Sequence, residues 1–122
     1  MKHYILAFCM LLSLSSFAQK KLGLIVAIGE YPSNSYWRNL SSLNDVKYIK
    51  AGLMQNGFAE KNIDTLFNKA ATKAEILNAL DELIRKSGPG DIVVFHFSGH
   101  GQQIFDNNKD EADGYDEALI PY

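Results

Sequence analysis

The chain contains a single cysteine among its 122 residues, Cys9, and this scarcity limits the chemistry that it can perform. One cysteine cannot form a disulfide within the chain. Cys9 lies inside an apolar segment near the N-terminus, where we expect it to behave as a small hydrophobic residue. No serine or threonine lies in a recognisable nucleophile motif such as G-x-S-x-G. The sequence therefore contains no evident catalytic nucleophile.

The chain also lacks an excess of positive charge. Its formal net charge is −2 at pH 7, which gives no reason to expect binding to nucleic acid or to an anionic membrane. Acidic residues are instead concentrated in one short stretch, where Lys109 is the only cation. They are Asp106, Asp110, Glu111, Asp113, Asp116 and Glu117. We therefore expect the negative charge of the chain to be concentrated on a single loop.

The N-terminal apolar run is too short to cross a membrane, because a spanning helix needs roughly 20 residues. Lys2 and His3 precede this run, Tyr4–Leu14, and small residues follow it up to Ala18. The arrangement is typical of a signal peptide, although an N-terminal anchor or a buried helix remains the alternative. We therefore expect residues 1–18 to be removed, and residues 19–122 to be exported to the periplasm or beyond as one domain without a membrane anchor.

Strand and helix patterns alternate along the remaining chain. Three runs predict strands, of which the first and third are strongly apolar and should be buried, and Ala118–Pro121 is a candidate for the start of a fourth. The runs are Leu22–Gly29, Ile63–Phe67 and the stretch that begins at Ile92. Helical spacing predicts one helix from Leu43 to the stop at Asn56-Gly57, and Thr72 with Glu75 forms the capping box of a second. This β-α-β-α-β order predicts a mostly parallel sheet with helices on both faces and ligands at the carboxyl ends of its strands.

A histidine follows the third strand pattern, in DIVVFHFSGHG at Asp91–Gly101. His100 lies between Gly99 and Gly101, which lack side chains and would let a substrate approach closely. His96 would lie about 13 Å away along a strand, too far to share one zinc ion, so we interpret it as a sheet residue. A packed structural histidine is the alternative for His100. We favour a catalytic role because packing alone gives no reason for glycine on both sides.

Several segments resemble the caspase-like cysteine peptidases, and within them the metacaspases. FHFSGHGQQ and DEADGYDEALIP carry the resemblance, and LIVAIGEYP, LNDV and ATKAEILNAL extend it over nearly all of residues 19–122. It implies a caspase-like three-layer α/β sandwich and endopeptidase chemistry on peptide or protein substrates through a Cys-His dyad. In the family, the cysteine follows the next strand in a segment resembling D-x-C-H-S-G, which these 122 residues do not contain. The resemblance therefore implies a domain that is incomplete at its C-terminus.

The resemblance also implies roles for individual residues. His100 matches the catalytic histidine of the family, and Ser98 and Gly99 match its neighbours, which contribute to substrate binding. Asp45 matches the acidic residue in the pocket for the residue that precedes the cut, and Ser42 matches another pocket position. A carboxylate that is at least partly buried there would favour Arg or Lys in the substrate. Without the resemblance, Asp45 would be an ordinary residue in the first turn of a helix.

Calcium is the one cofactor that the resemblance implies, because metacaspases are commonly calcium-activated, and Asp116 matches one of their ligand positions. The acidic stretch copies four EF-hand positions, at Asp106, Asn108, Asp110 and Glu117. Glu111 stands where that motif requires glycine, so an EF-hand is excluded and a solvated acidic loop stays open as the alternative.

Two functions remain compatible with the sequence. The first is a cysteine endopeptidase of which only the histidine is present in these residues. The second is an inert caspase-fold fragment or pseudo-peptidase that acts as a binding module for peptides or protein partners.

Overall fold

The main sheet contains three parallel strands in the spatial order β2-β1-β3. The computed structural model describes residues 19–122, so the predicted signal peptide lies outside the described residues. The strands are β1 (Lys21–Ala27), β2 (Ile63–Phe67) and β3 (Ile92–Ser98). Helix α1 (Val46–Gln55) connects β1 to β2, and α2 (Lys73–Lys86) connects β2 to β3. A separate antiparallel hairpin follows, formed by β4 (Gly101–Phe105) and β5 (Tyr115–Leu119). The predicted β-α-β-α-β order is confirmed.

The central strand β1 divides the core into two halves. Its side chains alternate between the two faces of the sheet. Leu24 and Val26 pack on the face that α2 covers, against Leu83 and its neighbours, whereas Ile25 packs on the face of α1, against Leu53. The three-layer arrangement that the sequence predicts is therefore present. In the described part of the chain, neither helix is long and apolar enough to cross a membrane.

The helix boundaries follow the predicted signals with one difference. At the start of α2, the backbone N–H of Glu75 donates to Thr72 Oγ1 at 3.2 Å, as expected from the capping box. After α1, Gly57 adopts a positive φ of 84°, which glycine tolerates best. Helix α1 begins at Val46 rather than Leu43, because a short 3-10 turn, Ser42–Asn44, precedes it.

The prediction that β3 is a buried strand is met only in part, since Val94 packs on the face of α1 and Phe97 on the face of α2, but other residues of the strand are exposed. Within residues 19–122, β3 pairs only with β1 and forms an edge of the sheet. Its residues Ile92, Val93 and Phe95 are 38–45% exposed. The apolar composition of the strand could not reveal this, because composition does not say how many neighbours a strand has.

The hairpin was predicted only in part. The expected strand near Ala118–Pro121 exists but covers Tyr115–Leu119, and it pairs antiparallel with β4 outside the main sheet. The sequence of β4, GQQIF, has no strand periodicity, so that strand was missed. The Ile120 N–H donates to the His100 carbonyl at 3.0 Å, which extends the β4–β5 pairing by one residue towards the end of β3.

Candidate active site

His100 lies directly after β3, at the carboxyl edge of the parallel sheet. The neighbouring strand β1 ends beside it, since Ala27 pairs with Ser98 and the Ile28 N–H donates to the Ser98 carbonyl at 2.8 Å. The side chain of His100 is half-buried. This is the edge at which open α/β sheets bind their ligands, and the sequence predicted this position for His100.

Two aromatic side chains flank the imidazole of His100, and both come from the loop that follows β1. The ring centroid of Tyr31 lies 5.0 Å from that of His100, and the centroid of Trp37 lies 4.9 Å from it. Sequence reasoning missed both residues as parts of the site. The only available signal was the position of Tyr31 within LIVAIGEYP, which says nothing about which side chains it contacts.

The His100 ring is oriented by a backbone carbonyl. Its Nε2 lies 2.8 Å from the carbonyl oxygen of Arg38. Because a carbonyl oxygen only accepts hydrogen bonds, Nε2 must carry the proton. In the neutral ring this leaves Nδ1 without a proton, so Nδ1 is the atom that can accept one from a substrate or a nucleophile.

The backbone of His100 is held by a side chain. Its N–H donates to Tyr31 Oη at 3.0 Å, and the Tyr31 hydroxyl donates to the Ile120 carbonyl at 3.1 Å. Burial raises the pKa of the Tyr31 phenol, and the hydrogen bond from His100 offsets part of that rise. The phenol therefore stays protonated at neutral pH and can serve as donor and acceptor together.

Packing explains the glycine at position 99, whereas the sequence analysis assumed that packing gives no reason for glycine beside His100. A Cβ at Gly99 would lie 2.9 Å from Tyr31 Oη and 2.9 Å from atoms of the Phe97 ring. Real Cβ atoms are essentially never found so close to other heavy atoms. At Gly101 the nearest atom would be the Ala118 carbonyl oxygen at 3.4 Å. The close approach of Tyr31 therefore explains Gly99, and the substrate-binding roles of Gly99 and Ser98 stay predictions.

The two remaining pocket residues lie on the segment that leads from Arg38 into α1. Ser42 is buried within the 3-10 turn. Asp45 is the N-cap residue of α1, and its carbonyl accepts the N–H groups of Tyr48 and Ile49 at 3.0 Å. The side chain of Asp45 is exposed rather than partly buried. Because α1 follows β1, Asp45 lies at the carboxyl end of the sheet, as His100 does, and its side chain is open to solvent.

Three carboxylates converge in the hairpin loop. Oxygens of Asp106, Asp110 and Asp116 lie within 4.8 Å of one another. The sequence pointed to Asp116 as a calcium ligand but did not predict this grouping. Glu117, the last of the EF-hand-like positions, lies elsewhere and pairs with Gln103 across the hairpin at 3.5 Å.

The carboxylates of this group differ in their surroundings. Asp106 is 3% exposed and accepts the backbone N–H groups of Asn108, Lys109 and Glu111 at 2.6–3.1 Å. Burial acts to raise the pKa of Asp106, but these N–H groups hold it below its usual range. The pKa of Asp116 is raised, first by desolvation and then by the negative charges of Asp106 and Asp110.

Comparison with known proteins locates relatives over nearly the whole described chain. The sequence profile of the family "Metacaspase, peptidase C14 domain" matches residues 21–122. Metacaspase-1 of Mycosarcoma maydis is 33% identical over 88% of this chain and 28% of its own length. Metacaspase-1A of Aspergillus niger is 36% identical over 84% of this chain and 26% of its own length. The chain thus spans about a quarter of the length of these relatives.

A solved structure gives the same picture of the fold. The crystal structure of protein GSU0716 from Geobacter sulfurreducens superimposes with a TM-score of 0.64 at 33% sequence identity. The match covers 80% of this chain and 38% of that protein. The fold is therefore of the caspase-like α/β type that the sequence motifs indicated.

Proposed function

The chain belongs to the metacaspase peptidase C14 domain family, and from this we propose that it is the histidine-bearing part of a cysteine endopeptidase. The observation that carries the proposal is the orientation of His100. Its Nε2–H is directed at the Arg38 carbonyl at 2.8 Å, which leaves Nδ1 free to take a proton. The hydrogen bond fixes the tautomer of the neutral ring, so the atom that would take a proton is defined before a substrate binds.

The proposed reaction needs two partners. A cysteine thiol loses its proton to His100 Nδ1, and the resulting thiolate attacks the scissile carbonyl. The imidazolium then protonates the amine as the C–N bond breaks, which leaves a thioester. Water hydrolyses the thioester, with His100 taking a proton from the water, and the thiol is regenerated. While the ring carries both protons, Nε2–H continues to donate to the Arg38 carbonyl and keeps the ring in place. The nucleophile is expected from sequence beyond Tyr122, so residues 19–122 by themselves should not cleave peptides.

The substrate specificity that we propose is cleavage after Arg or Lys. Asp45 supports it, since it lies at the carboxyl end of the sheet, as His100 does, and its exposed carboxylate could pair with a basic side chain. The exposed position of Asp45 implies a weaker pair than a buried carboxylate would form, because water screens exposed charges. Sequence beyond Tyr122 would have to cover this carboxylate to strengthen the pairing.

Replacement of His100 by alanine should abolish most of the cleavage, because general acid-base catalysis contributes about 10²–10⁴-fold to the rate. The test begins by sequencing the gene beyond codon 122 and expressing its whole reading frame. Cleavage of peptides with Arg, Lys or Gln before the cut is then measured for the parent, His100→Ala and His96→Gln. His96 is the matched control, because it is a half-buried histidine in the body of β3.

The same assay tests specificity and can contradict the proposal. Asp45→Asn should reduce cleavage of the Arg and Lys peptides while leaving the slow Gln peptide unchanged. Equal cleavage by the parent and His100→Ala would exclude His100 as the catalytic base. A reading frame that supplies no cysteine after β5, together with no cleavage, would favour the binding-module alternative.

We also propose calcium as an activating ligand of the hairpin loop. The donor set fits a hard cation, because three carboxylates converge and oxygen ligands are those that calcium prefers. The raised pKa of Asp116 supports this further, since a cation would relieve the repulsion from Asp106 and Asp110. Both Asp106 oxygens already accept backbone N–H groups, so its remaining capacity as a ligand is limited. We therefore expect weak binding, roughly in the 0.1–1 mM range of extracellular calcium-binding modules.

Calcium titration followed by NMR of the loop amides should show at least about tenfold weaker binding in Asp116→Asn. Binding by the parent should also weaken as the pH falls through the Asp116 pKa, because protons then compete with the cation for that carboxylate. Asp113→Asn is the control, since Asp113 lies outside the group and the amide keeps the oxygen that accepts the Tyr115 N–H. Equal affinity in the two variants would contradict a site at Asp116.

A further inference from the structure

Tyr31 connects three segments that are distant in the sequence. Its hydroxyl accepts the N–H of His100 at 3.0 Å and donates to the carbonyl of Ile120 at 3.1 Å. It therefore joins the loop after β1 to the turn between β3 and β4 and to the end of β5. A buried hydroxyl is costly unless it is hydrogen-bonded, and here its one proton is donated while it also accepts a bond.

The backbone of Tyr31 takes part in closing the loop that carries Trp37 and Arg38. Its N–H donates to Asn39 Oδ1 at 3.1 Å, and next to it the Leu40 N–H donates to the Gly29 carbonyl at 2.8 Å. These two bonds close the base of the loop that carries Trp37 and Arg38. The Arg38 carbonyl, which accepts from His100 Nε2, is adjacent to Asn39. The Tyr31 hydroxyl thus contacts the backbone of His100, while the Tyr31 main chain, which phenylalanine would keep, helps to close the loop that orients the His100 ring.

The packing around Tyr31 leaves its side chain little room to adopt another conformation. Tyr31 is 7% exposed, and its ring is tilted by 52° against the His100 imidazole. Its Oη occupies the space that a side chain would take at Gly99. An aromatic side chain has only two rotatable bonds, so a buried tyrosine places its hydroxyl accurately at small entropic cost.

We propose that Tyr31 is a positioning residue, which fixes the backbone of His100 and the loop over its imidazole so that Nε2 stays bonded to Arg38 and Nδ1 stays free. The inference rests on the proposed function, because Tyr31 would hold His100 in the orientation that proton transfer requires. Tyr31 does not itself touch the reacting atoms, and its effect acts through His100.

The test compares Tyr31→Phe with the parent chain by NMR. Phenylalanine keeps the buried ring and removes only the hydroxyl. We expect the His100 amide to exchange with solvent roughly tenfold faster, because its hydrogen-bond acceptor is lost. We also expect the nitrogen shifts of the imidazole to move from those of a ring protonated at Nε2 towards the averaged values of free histidine. Amides of β1 report on the fold and should keep their protection. Tyr36→Phe, at a fully exposed tyrosine, should change none of these signals.

Two results would overturn the proposal. Unchanged exchange and unchanged imidazole shifts in Tyr31→Phe would show that the hydroxyl positions nothing. Equal loss of protection at His100 and throughout β1, or failure of the variant to fold, would show that Tyr31 is only a structural residue. None of these signals requires a nucleophile or substrate, so they are independent of peptide cleavage. A protein that cleaves no peptide but shows the expected shifts would contradict the proposed function alone.

Discussion

Replacement of Leu24 by alanine should lower the free energy of unfolding by about 2–5 kcal/mol, which is the range for removing a large side chain from a packed core. Leu24 is 1% exposed in the central strand, where it packs in the cluster that α2 covers. Removing three carbons there leaves a cavity that the strands on both sides prevent from closing. Since small domains are stable by only about 5–15 kcal/mol, the loss is a large fraction of the total.

Urea unfolding followed by circular dichroism measures this loss. Leu77→Ala is the matched control, because it removes the same atoms from a residue of α2 that is 51% exposed. The control should change the stability by no more than about 0.5 kcal/mol, as for most surface substitutions. If both variants lost the same stability, the core would not lie between β1 and α2 as described.

Replacement of Gly99 by alanine should destabilise the fold by about 1–3 kcal/mol, the usual cost of adding a carbon to a filled space. The added Cβ would meet Tyr31 Oη and the Phe97 ring at 2.9 Å, so these groups must move. Because Tyr31 Oη accepts the His100 N–H, we expect the displacement to reach His100 as well. The expected signature is a lower urea midpoint together with shifted NMR signals of the His100 ring.

Gly52→Ala supplies a control of opposite sign. Gly52 lies inside α1, where nothing stands within 4 Å of the position that a Cβ would take. Alanine is the better helix former, so this variant should be more stable by about 0.5–1 kcal/mol. Equal stability of Gly99→Ala and the parent would show that Tyr31 does not restrict position 99.

The elements with strong local signals could be predicted from the sequence. β2 was predicted at Ile63–Phe67, where it lies, and α2 starts at the capping box formed by Thr72 and Glu75. These signals act within a few residues, so the sequence displays them directly. β4 could not be predicted, because GQQIF is held as a strand by its pairing with β5 rather than by its own pattern.

The candidate site also has one part that the sequence predicted and another that it did not. The position of His100 at the carboxyl edge followed from the strand that precedes it and the order of the elements. The orientation of the His100 ring could not be predicted in this way, because the groups that hold it, the Arg38 carbonyl and the Tyr31 hydroxyl, are 62 and 69 residues away along the chain. The meeting of Asp106, Asp110 and Asp116 likewise depends on how the hairpin loop folds back.

The sequence by itself determined the α/β class, the family and the position of His100 at the end of β3, because periodicity, helix caps and motifs are local features that can be read directly from the sequence. Tertiary structure alone decided which groups surround His100, why position 99 must be glycine, and that β3 forms an edge in the described chain. These features arise from contacts between residues far apart in sequence. The physical reason is that a strand or helix can be encoded by its own residues, whereas the environment of a side chain depends on every element that packs against it.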